Sequence, residues 1–318
     1  MLHLFNIENG VLRERDSASE PVDMALAEQA SWLDVVEADE ADQQLVQPLF
    51  RDALPSDDKE EIESSARYFS DEHGLHVHSL FLMQSDGRSK TASVAFVVQD
   101  ERLISFRDDI RMADFRLMRM RIRRGWVKVS QPMDILLSIL DQKVENLADA
   151  IEDVHRDLEQ VGYSVLEEEN GELDRDIEQL ARLEDTNGKI RLCLMDTQRS
   201  ISFIQRYVRS DKTRRRTCAE IQHDLETLMS HTTFLFDKIN FLMDAAQGFI
   251  NIQQNQIIKI FSIAAVVFLP PTMIASIYGM NFQVMPELGF EFGYPMAICL
   301  MILSGIAPYW YFKRKGWL

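Results

Sequence analysis

Two stretches near the C-terminal end carry no charged residue: Ile260 to Pro286, and Gly293 to Phe312, the second rich in Ile, Leu, Met and Ala. At about 1.5 Å of rise per residue, each can cross a hydrocarbon core of about 30 Å as a helix. Upstream, Leu140, Val144, Leu147, Ile151, Val154, Leu158, Val161 and Val165 recur at alternating spacings of four and three. That is the seam of a coiled coil or a long helical hairpin. Gly171, inside EEENGEL, reads as the turn of the hairpin, with a second helix returning from Leu173 to Val208. The basic stretch SDKTRRRT, residues 210 to 217, reads as a connection to a third helix that begins near Cys218. That helix meets no proline before Pro270 and only Gly248 as a weak interruption, so it is expected to run unbroken into the first uncharged segment.

The first 125 residues have a different period. LHVHSLFLM at 75–83, ASVAFVVQ at 92–99 and RLISFR at 102–107 are strand-like, and the turn-like SDGRS and QDE between them predict an antiparallel meander. Helical patterns flank it, around Lys59 to Phe69 and Asp109 to Arg123. The reading is an α+β membrane protein: an α/β domain over residues 1–130, a helical hairpin and stalk over 131–256, and a two-helix transmembrane domain over 257–318.

Charge orients this plan. Lys259 precedes the first span and Lys313, Arg314 and Lys315 follow the second, whereas the loop between them carries Glu287 and Glu291 and no basic residue. By the positive-inside rule both termini are cytoplasmic and the loop faces outward. Aromatics at the outer end (Tyr278, Phe282, Phe290, Phe292, Tyr294) and the inner end (Tyr309, Trp310, Tyr311, Trp317) suit the two interfaces. The formal net charge of −17 lies mostly on the residues before 225, which excludes nucleic acid as a partner and favours cations. Cys193, Cys218 and Cys299 lack pairing or ligand spacing, and the N-terminus has no signal-peptide pattern, so the region before the spans is expected in the cytoplasm.

A lipid-facing helix can be apolar all round, whereas a pore-lining one needs a polar stripe. At about 100° per residue, Asn255, Lys259, Ser262, Thr272 and Ser276 share an arc of about 140°. Ile258 and Leu269 lie on the same arc, with Ala265 and Val266 at its edge, giving the stripe an apolar middle suited to gating by dewetting. Ser and Thr in membrane helices commonly bond back to their own backbone, so it is the alignment that sets these residues apart. Two helices cannot enclose a pore, so the stripe calls for several copies of the chain. Pro270 and Pro271 remove two backbone donors in mid-membrane.

The segment YGMNFQVMPELGFEFGYP, the second span and the terminal YFKRKGWL resemble the CorA magnesium transporters, whose signature is Gly-Met-Asn just beyond the first of two C-terminal spans. NIQQNQIIKIFSIAAVVFLPPT extends the resemblance, as do, more loosely, WLDVVEAD, GLHVHS and RLCLMDTQRS. The resemblance implies a homopentameric channel in the bacterial inner membrane, with a cytoplasmic α/β/α funnel and Mg²⁺ entering down the membrane potential. It implies a selectivity filter at Gly279, Met280 and Asn281, flanked by Tyr278 and Glu287 in the outer loop. The pore lining would fall on Asn255, Ile258, Leu269, Thr272 and Ser276, with Phe261 at the margin of the stripe, and a basic collar on Lys259, Lys313, Arg314 and Lys315. Mg²⁺ would be both substrate and regulatory ligand, with no other cofactor. The regulatory ions would sit at acidic residues such as Glu220 and Asp224, and Co²⁺ and Ni²⁺ are further candidate permeants.

The chemistry suits the residues. Mg²⁺ sheds water reluctantly, so a ring of neutral oxygens from Asn281 can hold the hydrated ion, Glu287 can concentrate cations, and Gly279 permits a sharp exit from the helix. Two other readings remain open: a zinc exporter of the ZntB type, against which Met280 counts, and a membrane-anchored coiled-coil sensor that conducts nothing. His73, His76 and His78 look like a metal cluster, but no further ligand completes it, and they read as structural. The Arg111 to Arg124 run is interleaved with Met118, Met120 and Ile122 and reads as pairing with carboxylates. No P-loop, nucleophile elbow or HExxH is present.

Overall fold

The chain is described by a computed structural model over residues 1–15, 24–38, 67–72, 74–85, 87–167, 173–281, 283 and 285–316. Two compact units result, Met1–Met243 and Asp244–Leu318. Seven strands form one sheet in the first: β1 (Leu2–Glu8), β2 (Val11–Glu14), β3 (Trp32–Val36), β4 (Tyr68–Asp71), β5 (Gly74–Ser85), β6 (Arg88–Val98) and β7 (Leu103–Arg107). Their order is β2-β1-β3-β7-β6-β5-β4. The expected meander is β5-β6-β7, antiparallel throughout, while β3 and β7 pair in parallel. Asn9 and Gly10, both at positive φ, close the β1–β2 hairpin; an Asn-Gly pair adopts this geometry at little cost.

Alternation along the strands divides the core in two. On one face Leu4, Leu33, Val35, Val97 and Ile104 pack with Ala27 and Ala30, from and just beyond the short helix α1 (Met24–Gln29). On the other lie fully buried aromatics: Phe5 stacks on Trp32 at 4.3 Å, and Phe81, Phe96 and Trp32 surround Phe115 of α2 (Ala113–Arg123). Each such side chain contributes about 1.5–3 kcal/mol by burial. Within this face a charge is buried as a pair: Arg107 grips Asp34 through Nε and Nη2, at 3.1 and 2.8 Å, and lies 4.4 Å from the Phe115 ring centroid. Ser105 donates to Asp34 and receives the Trp32 indole N–H, so the pair is held by hydrogen bonds as well as by charge.

Two long helices follow, α3 (Pro132–Glu167) and α4 (Leu173–Tyr207). The whole expected seam from Leu140 to Val165 is buried on α3. The hairpin turn at Gly171 lies outside the described residues, as do His73, Phe282, Trp317 and residues 59–66. Asp196 of α4 ties the helices to the sheet: Ser79, the Leu80 N–H and Tyr68 all donate to its carboxylate. The fully buried Lys143 of α3 donates to Ser79 and lies 3.8 Å from Asp196. Burial pushes the Lys143 ammonium below the lysine range while Asp196 pulls it back, and burial pushes the Tyr68 phenol up to about 12.

Three expectations are corrected. Tyr68 and Phe69 belong to β4, not to a helix, because they pair with Val77 and His76. Helix α2 begins at Ala113, not Asp109, whose carboxylate instead takes the Arg111 backbone N–H and guanidinium. The basic stretch is not a connection: Asp211 caps the N–H groups of Thr213 and Arg214, and helix α5 runs from Lys212 to Tyr278. Its first turn is fastened to α3 by Arg214 on Asp134, at 2.6 Å. Burial alone would raise the Asp134 carboxyl, but Arg214 and the N–H groups of Ser130 and Gln131 outweigh it and hold it below the usual range.

Several described residues of the histidine and arginine runs make contacts within the fold. His76 is buried, stacked on Phe69 and 3.1 Å from Asp71. Arg123 pairs with Glu14, and Arg121 donates to Gln142.

Candidate functional site: the two-helix unit and its loop

Both uncharged segments are helical and qualify by length and composition as membrane spans, the C-terminal part of α5 and α6 (Gly293–Arg314). Helix α5 ends at Tyr278, eight residues before the uncharged run does, and continues unbroken through Pro270 and Pro271. Lacking N–H groups, these prolines leave the carbonyls of Val266 and Val267 without their helical donors. Gly305 of α6 packs at this point: a Cβ there would stand 3.4 Å from Pro271 Cγ and 3.5 Å from the Val267 oxygen. Only a small residue lets α6 approach the freed carbonyl this closely.

The faces of α5 are sorted clearly. Ile263, Ala264, Val267, Pro270, Pro271, Ile274 and Tyr278 are half-buried, and opposite them on α6 so are Ile298, Met301, Ser304, Gly305, Pro308 and Phe312. On the wheel this face of α5 is centred about 150° from the polar stripe. Asn255, Ile258, Lys259, Phe261, Ser262, Leu269, Thr272 and Ser276 are all exposed, Leu269 at 65% and Phe261 at 71%. Thr272 does bond back to the Phe268 carbonyl, at 2.7 Å, as a lone threonine would. The second helix thus docks away from the stripe, which stays exposed among the described residues.

Beyond α5 the backbone turns at Gly279, whose N–H still reaches the Ala275 carbonyl at 2.9 Å, while Met280 bonds to Ile277. Gly279 was expected for its freedom to leave the helix sharply, but it does not adopt positive φ. Its constraint is steric, since a Cβ would stand 3.1 Å from the Ala275 oxygen. Asn281 is exposed and has no hydrogen-bond partner among the described residues. The loop then forms a 3₁₀ turn, Pro286–Gly289, with Glu287 exposed. Gly293 locks this turn to α6: it is buried, donates to Phe290 at 2.9 Å, and any Cβ would fall 2.5 Å from the Glu287 carbonyl oxygen. Neither Gly293 nor Gly305 was legible as a site residue, because a glycine in an apolar run carries no sign of what approaches it.

At the other end Lys313 and Arg314 close α6, Lys315 is its C-cap, and Gly316 follows at positive φ. Arg314 lies over the Trp310 ring at 5.6 Å. Of the acidic candidates on the first unit's part of α5, Glu220 takes the Arg216 guanidinium in an exposed pair. Glu220 and Asp224 also act on Asp141 of α3. Burial first, and then the negative charges of Glu145, Asp224 and Glu220, raise its carboxyl, with Arg121 opposing. Asp141 is therefore the carboxylate near Glu220 and Asp224 that sequence could not name, with Glu145 one turn along α3 from it. Among the described residues no three ligating side chains are gathered about one point.

A model of the family described as CorA-like Mg²⁺ transporter protein matches residues 27–314. The magnesium transport protein CorA of Pasteurella multocida is 46% identical over 321 residues, and that of Escherichia coli K12 is 45% identical over 322; both alignments cover the whole of each chain. Among solved structures, the complete CorA magnesium transporter of Methanocaldococcus jannaschii superposes with a TM-score of 0.77 at 18% identity, covering 100% of this chain and 99% of that one. The cytoplasmic domain of ZntB from Vibrio parahaemolyticus gives 0.57 at 10% identity, over 78% of this chain and 97% of that one. At such identities the structures speak for the fold alone, which both branches share. With a full-length match to named magnesium transporters and the family profile spanning nearly the whole chain, this protein belongs to the CorA family of Mg²⁺ transporters.

Proposed function

We propose that the chain is one subunit of a homo-oligomeric channel, a pentamer, that passes Mg²⁺ inward across a bacterial inner membrane, with both termini cytoplasmic. One observation carries this reading: α6 packs on the side of α5 away from the polar stripe, which leaves Asn255, Thr272 and Ser276 free to face other copies around an axis. A non-conducting anchor would need no such stripe. The 45–46% identity to proteins named as magnesium transporters, together with Met280 in the triplet, favours Mg²⁺ import over zinc export.

In this mechanism Glu287 and its symmetry mates raise the local concentration of divalent cations. The hydrated ion meets a ring of Asn281 side-chain carbonyls, which accept hydrogen bonds from its water shell and spare it full dehydration. Gly279 and Met280 set the approach of that ring. Below it the ion passes Ser276 and Thr272, which offer oxygens, then Leu269, where an apolar ring dewets when narrow. Phe261, Ile258 and Asn255 line the inner part, and Lys259 with Lys313, Arg314 and Lys315 forms a basic collar. Gating follows from the first unit: a divalent ion at Glu220 and Asp224 relieves the repulsion these carboxylates share with Asp141 and Glu145, and its loss restores it. Since α5 is one helix from Lys212 to Tyr278, that repulsion can be relayed to the stripe. Co²⁺ and Ni²⁺, close to Mg²⁺ in size, are further permeants.

The test is flux into liposomes that contain a Mg²⁺-sensitive dye and hold an inside-negative potential. Influx is expected, and Asn281→Ala should cut it at least tenfold or abolish its preference for Mg²⁺, whereas His76→Gln should leave it unchanged. No influx from the unmodified protein, or undiminished and fully selective influx in Asn281→Ala, overturns the reading.

A further inference from the structure

Outside the stripe, the loop and the acidic seam, one cluster has the elements of a site of different chemistry. His155 projects from α3 and His231 from α5, two helices far apart in sequence, and their imidazole rings meet edge-on with centroids 5.6 Å apart. An ion about 2.1 Å from one nitrogen of each ring would place the two centroids on the order of 5–6 Å apart. Nε2 of His155 faces the Glu159 carboxylate at 3.5 Å, one turn on along the same helix. Nδ1 of His155 is sealed from solvent and has no hydrogen-bond partner among the described residues. A carboxylate on one imidazole nitrogen with the other left unpartnered is the arrangement that orients a histidine toward a metal. Phe234 lies 6.4 Å from both rings and provides an apolar wall.

We propose that His155 and His231 bind a transition-metal divalent cation, with Glu159 as the supporting carboxylate and water in the remaining positions, joining α3 to α5. Imidazole nitrogen selects Ni²⁺, Co²⁺, Cu²⁺ and Zn²⁺ over Mg²⁺, which takes oxygen. The site therefore discriminates in the opposite sense to the pore. It would report transition metals on the helix pair that carries Asp141 and Glu220. The inference does not depend on conduction, since its ligands lie in the first unit and its readout is binding.

The experiment uses the purified full chain in detergent. Calorimetric titration with Ni²⁺ in the presence of excess Mg²⁺ should show about one ion per chain. His155→Gln and His231→Gln should each weaken that binding at least tenfold, while His223→Gln, at an exposed histidine of α5 outside the cluster, leaves it intact. Cu²⁺ bound to the unmodified protein should give an electron paramagnetic resonance spectrum with hyperfine structure from two imidazole nitrogens, a readout that needs no variant to fold. Ni²⁺ binding that excess Mg²⁺ removes, titrations unchanged in both variants, or a Cu²⁺ spectrum without nitrogen hyperfine structure would each overturn the proposal.

Discussion

The two units of this chain reach their structures by opposite routes. In Met1–Met243 most large apolar residues of the sheet are sealed within the chain, and even a charge, Arg107, is buried because Asp34 answers it. In Asp244–Leu318 the apolar window of α5 is 0% buried and that of α6 is 6% buried. The first unit carries its own core. The second presents apolar side chains to a bilayer, which solvates them as well as a protein interior would, and its specific contacts are backbone-close ones at small residues. The lesson is that side-chain volume and pairing fix the first unit, whereas in the second the absence of a side chain at Gly293 lets the loop close against α6.

This contrast can be broken by substitution, with effects that decrease in a set order. The largest should come from Arg107→Ala, which leaves Asp34 buried without its cation. A loss of about 3–5 kcal/mol is expected in chemical unfolding of the full chain, followed by near-ultraviolet circular dichroism. A change below about 1 kcal/mol would mean that the pair is dispensable and that the first unit is less self-contained than its burial implies.

Next comes a pH effect. Asp114 is buried on α2, neither oxygen has a well-formed hydrogen bond, and burial raises its carboxyl to about 7, with Lys143 and Asn146 of α3 opposing only in part. For a carboxyl whose folded pKa lies above the unfolded value near 3.8, the folded state binds the proton more tightly. Stability is then full at low pH and falls as pH rises from about 4 to about 7, staying low above that. Asp114→Asn should accordingly raise the thermal midpoint at pH 8 by the equivalent of a few kcal/mol and leave it nearly unchanged at pH 4. A gain independent of pH would show that packing, not ionisation, is responsible.

The smallest effect is expected at Phe268, an exposed aromatic on α5 in the second unit. Phe268→Ala should shift unfolding in detergent by no more than about 0.5 kcal/mol, although the same truncation of a buried phenylalanine costs about 3–5. A loss of core size would place Phe268 in a packed interface between chains.

Much of the plan was legible because its signals are local. An uncharged run and a heptad seam need no knowledge of partners, so both spans, the hairpin helices and the β5-β6-β7 meander could be read directly. The polar stripe was legible for the same reason, being a matter of angle along one helix. The errors have a shared cause as well. SDKTRRRT looked like a loop because its charge is high, but Asp211 caps it and Asp134, 80 residues away from Arg214, neutralises it. Tyr68 and Phe69 looked helical until β5 offered them backbone partners.

By itself, then, the sequence determined the two apolar spans, the long hairpin helices, the three strands of the meander, and that one side of α5 is polar. These follow from the free energy of moving each residue out of water, which depends on residue type and helical or strand period alone. The parallel pairing of β3 with β7, the meeting of Asp141 with Glu220 and Asp224, the docking of α6 away from the stripe, and the contact of His155 with His231 were decided only by tertiary structure. Each depends on which surfaces fit when distant segments are brought together, and no local pattern encodes that fit.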